Sequence, residues 1–206
     1  MGVAYRHSNS AIGAVGEGVE VAWERIGPQN DLIVSGLHGS MTEQARSKKM
    51  FHAASQAATT TTIALAAVYT GLCLSNPAAS GKLLIPRFAS AALEVAPAAA
   101  APVALHGGYL AAGITSHTTP LAIYNNFLGS AIASVAKADA ACTTVGVEEV
   151  IMPLMGAMTD DTLHGTTPAL VDLQGCIIIP PGGWLAFFTL TVVVGWFGMT
   201  WEEIDE

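Results

Sequence analysis

A mainly β chain, folded as a jelly-roll-like antiparallel β-sandwich with an extended N-terminal arm and little helix, is what this sequence predicts. Two observations carry that expectation. From Thr59 onward, runs of Thr, Ala, Val, Ile and Leu are broken at short intervals by Gly, Pro, Asn and Asp, and short strands with such punctuation build sandwiches and barrels. About eight such runs follow one another, the complement of a jelly roll. Before residue 59 the texture differs, which divides the chain into an arm, 1–58, and a sandwich body, 59–206.

The arm alternates short apolar patches, at 19–26 and 32–34, with Gly and polar residues, and then carries the charged run 42–49. Thr42 is a plausible N-cap and few breakers follow, so a helix is expected from there toward Ala58. Arg46, Lys48 and Lys49 form a basic group just before the body. Three cations make too short a run for a nucleic-acid patch; a solvated stretch of arm is the plain reading, and docking onto an acidic neighbour is the functional alternative.

In the body, strands are expected over 61–74, 82–92, 104–115, 131–136, 149–155, 170–179, 185–191 and 196–204. Their separators are turn material: Ser75-Asn76-Pro77, Ala96-Pro97, Thr119-Pro120, Asp160-Asp161 and Pro180-Pro181-Gly182-Gly183. Helix is expected only in the arm and over 124–134. The alanine-rich stretch 91–104 is cut by Pro97 and Pro102, so an extended connector is the reading there.

Residues 184–201, WLAFFTLTVVVGWFGMTW, carry no charge and have aromatic residues at both ends, as a membrane span would. Yet the run is rich in β-branched residues, contains Gly195 and Gly198, and has no Lys or Arg beside it. Two buried antiparallel strands with a bend near Val194-Gly195 are expected, and a membrane-associated protein is the alternative.

Composition then asks for a partner. Of the 206 residues 51% are hydrophobic and only 12% charged, and soluble monomers rarely leave large apolar patches uncovered. Other copies of the chain are the expected cover. The net charge of −8 repels phosphate, so direct nucleic-acid binding is not expected. The excess lies in the body, where Lys82, Arg87 and Lys137 face eleven carboxylates. Cys73, Cys142 and Cys176 are scattered and odd in number, which indicates neither a disulfide framework nor a zinc site.

No constellation for catalysis, a cofactor or a metal stands out. His106-Gly107-Gly108 is similar to the oxyanion turn of some esterases, but the Gly-x-Ser-x-Gly nucleophile elbow is missing, so a glycine bend in a strand is expected. Asp160, Asp161 and His164 read as a polar loop. Glu148-Glu149 and Glu202-Glu203 are adjacent on strands and point to opposite faces, as solvated strand ends do. A hydrolase is the remote third class.

At the C-terminus, Ile177-Ile178-Ile179-Pro180-Pro181-Gly182-Gly183-Trp184-Leu185-Ala186 leads to a strand closing on Met199-Thr200-Trp201-Glu202-Glu203-Ile204. Over those thirty or so residues the chain resembles the β-sandwich decoration, or cement, proteins that coat tailed-phage heads. The resemblance implies a non-enzymatic virion component without cofactor, made in the host cytoplasm, forming homotrimers and gripping the major capsid protein. It also implies that the apolar stretch Val192, Val193, Val194, Trp196 and Phe197 lies in a subunit contact, and that Arg46, Lys48 and Lys49 dock on the shell.

Overall fold

The two longest strands among the described residues, Lys82–Leu93 and Val194–Asp205, lie antiparallel against one another along most of their length. The computed structural model describes residues 40–62, 65, 67–95, 97, 99, 101–157 and 169–206. In chain order these form α1 (Ser40–Arg46), β1 (Met50–Ala54), β2 (Thr59–Thr60), β3 (Val68–Ser75), β4 (Lys82–Leu93) and β5 (Ala101–Tyr109). There follow β6 (His117–Pro120), β7 (Tyr124–Asn125), β8 (Lys137–Thr143), β9 (Glu149–Ala157), β10 (Ala169–Asp172), β11 (Gly183–Thr189) and β12 (Val194–Asp205). Among the described residues, the mainly β class with little helix is confirmed.

Two antiparallel sheets result. Sheet I has the order β10-β4-β12-β1-β7 with β2 beside the start of β12, and sheet II the order β6-β8-β3-β11-β5-β9. The pairings nest: β1 with β12, β3 with β11, β4 with β10, and β5 with β9. A long antiparallel hairpin rolled on itself gives this strand order, which is that of a jelly roll. β2, β6, β7 and β8 are additions to those eight strands.

One apolar core fills the space between the sheets. Phe51, Ala53, Ala89, Ala91, Phe197, Met199 and Trp201 enter it from sheet I, and Leu72, Leu74, Val103, Leu105, Leu185 and Phe187 from sheet II. Burial of this kind is the main stabilising term of a sandwich. A second cluster lies on the outer face of sheet II: Tyr69, Cys73, Cys142, Trp184 and Ala186, with Ile114 and Val145 against them. β11 is therefore buried at every position.

Several expectations are corrected. Helix α1 ends at Arg46 rather than running to Ala58, because Lys48 takes a left-handed φ of 61° and its N–H bonds the carbonyl of Ala45, while Lys49 N–H bonds that of Gln44. This is a Schellman stop with Lys at the position usually held by Gly. The segment after it is β1, seated between β12 and β7. The compact unit carrying both sheets starts at His38, so α1 and β1 belong with the body; residues 1–39 of the expected arm lie outside the described residues.

The helix expected over 124–134 is replaced by β7 and turns. Asn125 Oδ1 accepts from Phe127 N–H, Ser130 Oγ from Ile132 N–H, and Ser134 Oγ from Ala136 N–H. Such local side-chain bonds compete with a helical ladder. The strand expected at 131–136 falls instead at β8. Strand pairing consumes the apolar run 184–201 as β11 and β12, one in each sheet, and the chain crosses between them near 190–193. Among the described residues no helix is long and apolar enough to cross a membrane.

Candidate functional site

Strand alternation decides what sheet I shows to the outside. With Phe197, Met199 and Trp201 of β12 in the core, Trp196, Gly198 and Thr200 face outward. Register carries the same rows across the sheet: His52, Thr200, Phe88 and Asp172 form one, and Ala54, Gly198, Ser90 and Leu170 the next, with Trp196 beside Ala92. Small residues thus make a floor and large apolar ones a rim. Two adjoining hollows of about 280 and 340 Å³ share Ala54, Ser90, Leu170 and Gly198. Leu170 is 71% exposed and Trp196 43%. Asp172 is the sole acidic side chain in these rows; its Oδ1 accepts from Gln174 N–H.

The contact residues read from the sequence divide across this wall. Val193 and Phe197 are each only 2% exposed and belong to the shared core, so they are corrected to core residues rather than subunit contacts. Thr61 N–H donates to the carbonyl of Val193, which fixes the bend between the sheets. Val192 and Trp196 are exposed, and Val194 is half-buried at the start of β12. The sequence reasoning missed Ala54, Phe88, Ser90 and Leu170. For Phe88 and Ser90 a signal was present in β4, where Phe88, Ser90 and Ala92 alternate with Ala89 and Ala91 and neither side of that stretch is charged.

Arg46, Lys48 and Lys49 surround the turn between α1 and β1. Arg46 meets Glu43 at 3.3 Å on the exposed side of α1. Lys48 Nζ lies 5.4 Å from the centre of the Phe127 ring, and Asn125 Nδ2 donates to the Lys48 carbonyl. Lys49 lends its carbonyl to Glu203 N–H. The three cations therefore sit on a turn tied into sheet I.

His106 stands on β5, facing the outer cluster of sheet II. Its ring lies 5.2 Å from Trp184, 5.4 Å from Tyr69 and 5.8 Å from Phe188, centre to centre. It is fully buried, and neither ring nitrogen has a hydrogen-bond partner. Burial lowers its pKa to about 4, which keeps the imidazole neutral. Tyr69 and Cys73 in the same cluster are pushed well up, first by burial and then by neighbouring thiols. Cys73 and Cys142 are buried, whereas Cys176 is exposed. Gly107 and Gly108 are in the strand, and a Cβ on Gly108 would lie 2.8 Å from the Val147 carbonyl oxygen. Glycine there answers close packing of backbone and indole.

The carboxylates are held structurally. Glu202 pairs with Arg87 at 2.5 Å, and Glu203 accepts from Ser134 Oγ and from Val135 N–H. Both are 2% exposed, which corrects their reading as solvated ends. Asp139 is bonded to His117 Nδ1 at 2.7 Å, and burial raises its pKa. Asp160, Asp161 and His164 lie outside the described residues. Among the described residues no group of three His, Cys, Asp or Glu side chains is placed to hold a metal ion. In comparisons with family models, curated proteins and solved structures, nothing matches this chain.

Proposed function

We propose that the chain is a structural virion protein, a decoration or cement protein that sits on a capsid surface, grips the major capsid protein and associates with copies of itself. The observation that carries this reading is an apolar, almost chargeless outer wall on a jelly-roll body of net charge −8. A fold of this kind serves many functions, so the weight rests on the wall and on the basic turn. The wall is suited to copies of the chain, and Arg46, Lys48 and Lys49 to an acidic shell. The protein is made in the host cytoplasm, forms trimers in the resembled family, and requires neither cofactor nor direct contact with nucleic acid.

A cement acts by adding contact area across joints between shell subunits. Many such sites on one lattice act together, so contacts that are weak singly hold firmly. The test is the temperature at which genome-filled shells release nucleic acid to a dye, with and without the protein bound. The reading expects a higher release temperature with protein; equal temperatures at saturating protein overturn the cement role.

A further inference from the structure

The two strands cut from the run 184–201 are apolar for different reasons. β11 is buried on both faces because Ile114 and Val145 cover Trp184 and Ala186 on the outside of sheet II. β12 shows Trp196, Gly198 and Thr200 on a wall that leaves Leu170 and Trp196 open. We infer that this wall, from Tyr124 and His52 across Thr200, Gly198 and Ser90 to Leu170 and Trp196, is the surface through which a second copy of the chain docks. The inference rests on the assembly reading above and names the contact.

Charge selects the occupant. Copies carrying −8 each repel one another over most of their surface. Over Trp196–Thr200 the outward positions of β12, and the β1 and β4 positions beside them, carry no acidic or basic residue, His52 aside; in the next row Glu202 and Arg87 pair with each other, and Asp172 stands at the rim on β10. Approach here brings few like charges together. Shape agrees, because floor and ridge share one face: Ala54, Gly198 and Ser90 form the hollow, and Trp196 and Leu170 rise beside it. A ridge of one copy can therefore fill the hollow of the next.

Area sets the strength. Five strands about 4.8 Å apart and five residues of about 3.3 Å each span roughly 400 Å² in plan. A standard interface buries about 800 Å² per partner. Free copies should associate in the micromolar range, and more firmly when a shell lattice holds them side by side.

Sedimentation of the full chain from about 1 to 100 µM tests this, with Leu170→Glu and Trp196→Ser alongside and circular dichroism as the check on folding. The wild type should gain mass with concentration, and both variants should stay at single-chain mass while keeping the β spectrum. A milder probe avoids any question of misfolding: Leu170→Cys in a Cys176→Ser background, labelled with a maleimide. Labelling should slow at least fivefold at high concentration. Association that persists in both variants, with labelling unchanged, overturns this wall as the contact and leaves the assembly reading standing. A wild type that stays monomeric throughout overturns both the wall and self-association, while attachment to shells is measured separately.

Discussion

The imidazole of His106 stands edge-on to the indole of Trp184, 5.2 Å between ring centres and 82° between planes, with no hydrogen bond to either of its nitrogens. A proton added there has no partner, and its hydration is lost to burial. Because the folded-state pKa falls to about 4 from an ordinary 6.5, the unfolded chain takes up the proton first as pH drops. Stability is unaffected by this group above about pH 6.5, falls as pH goes from 6.5 toward 4, and levels off below.

Chemical unfolding at pH 7 and pH 5 should therefore show a loss on the order of 2 kcal/mol in the wild type from this residue. His106→Phe should flatten the slope over that interval. Asp139, whose pKa is raised by burial, works in the opposite direction, since its protonation in the fold is favoured as pH falls. The comparison of wild type with His106→Phe isolates the histidine. An unchanged slope would show that the ring finds a partner for its proton.

The pair Arg87–Glu202 joins β4 to β12 at a register shift, with the Glu202 side chain 3% exposed and that of Arg87 24%. Arg87→Met leaves a buried carboxylate alone and should cost about 3 kcal/mol or more. Arg87→Met with Glu202→Gln should recover part of that loss. Guanidinium denaturation of the four proteins of this cycle measures the coupling, and additive losses would mean that the pair is not coupled.

Val193 and Trp196 lie three residues apart and answer different questions. Val193→Asp buries a charge in the core shared by the sheets and should abolish cooperative unfolding near room temperature, because an unpaired buried charge costs several kcal/mol. Trp196→Ser should lower the midpoint by only a few degrees. Thermal melts followed by circular dichroism distinguish the two, and a folded, dissociated Val193→Asp protein would return that residue to the subunit contact.

Gly108→Ala tests the strand reading of His106-Gly107-Gly108. The added methyl would meet the Val147 carbonyl oxygen and the Trp184 ring at 2.8 Å, and a loss of about 1–3 kcal/mol is expected in urea unfolding. A neutral substitution would show that β5 and β11 are less closely packed there.

Much of this fold was legible because strands announce themselves by length and punctuation: 82–92 and 149–155 fall within a residue or two of β4 and β9. What misled was side-chain chemistry acting locally. The charged run 42–49 resembled an arm, yet Lys48 turns the chain into β1, and Asn125, Ser130 and Ser134 bond neighbouring N–H groups where helix was expected. The site was half legible. An uncharged run at 184–201 pointed to a contact, but only the pairing of β12 with β4 shows which alternate residues reach the surface. Leu170 and Phe88, far from that run in sequence, could join Trp196 only through the register of sheet I.

Co-sedimentation of the full-length protein with empty shells from the same source measures the proposed attachment to the shell directly. Saturable binding that weakens as salt rises is expected if Arg46, Lys48 and Lys49 meet acidic partners at a partly exposed surface. Reversal of all three to Glu should weaken binding at least tenfold with the β spectrum intact. Protein that stays in the supernatant at every shell concentration, while folded, would contradict the account.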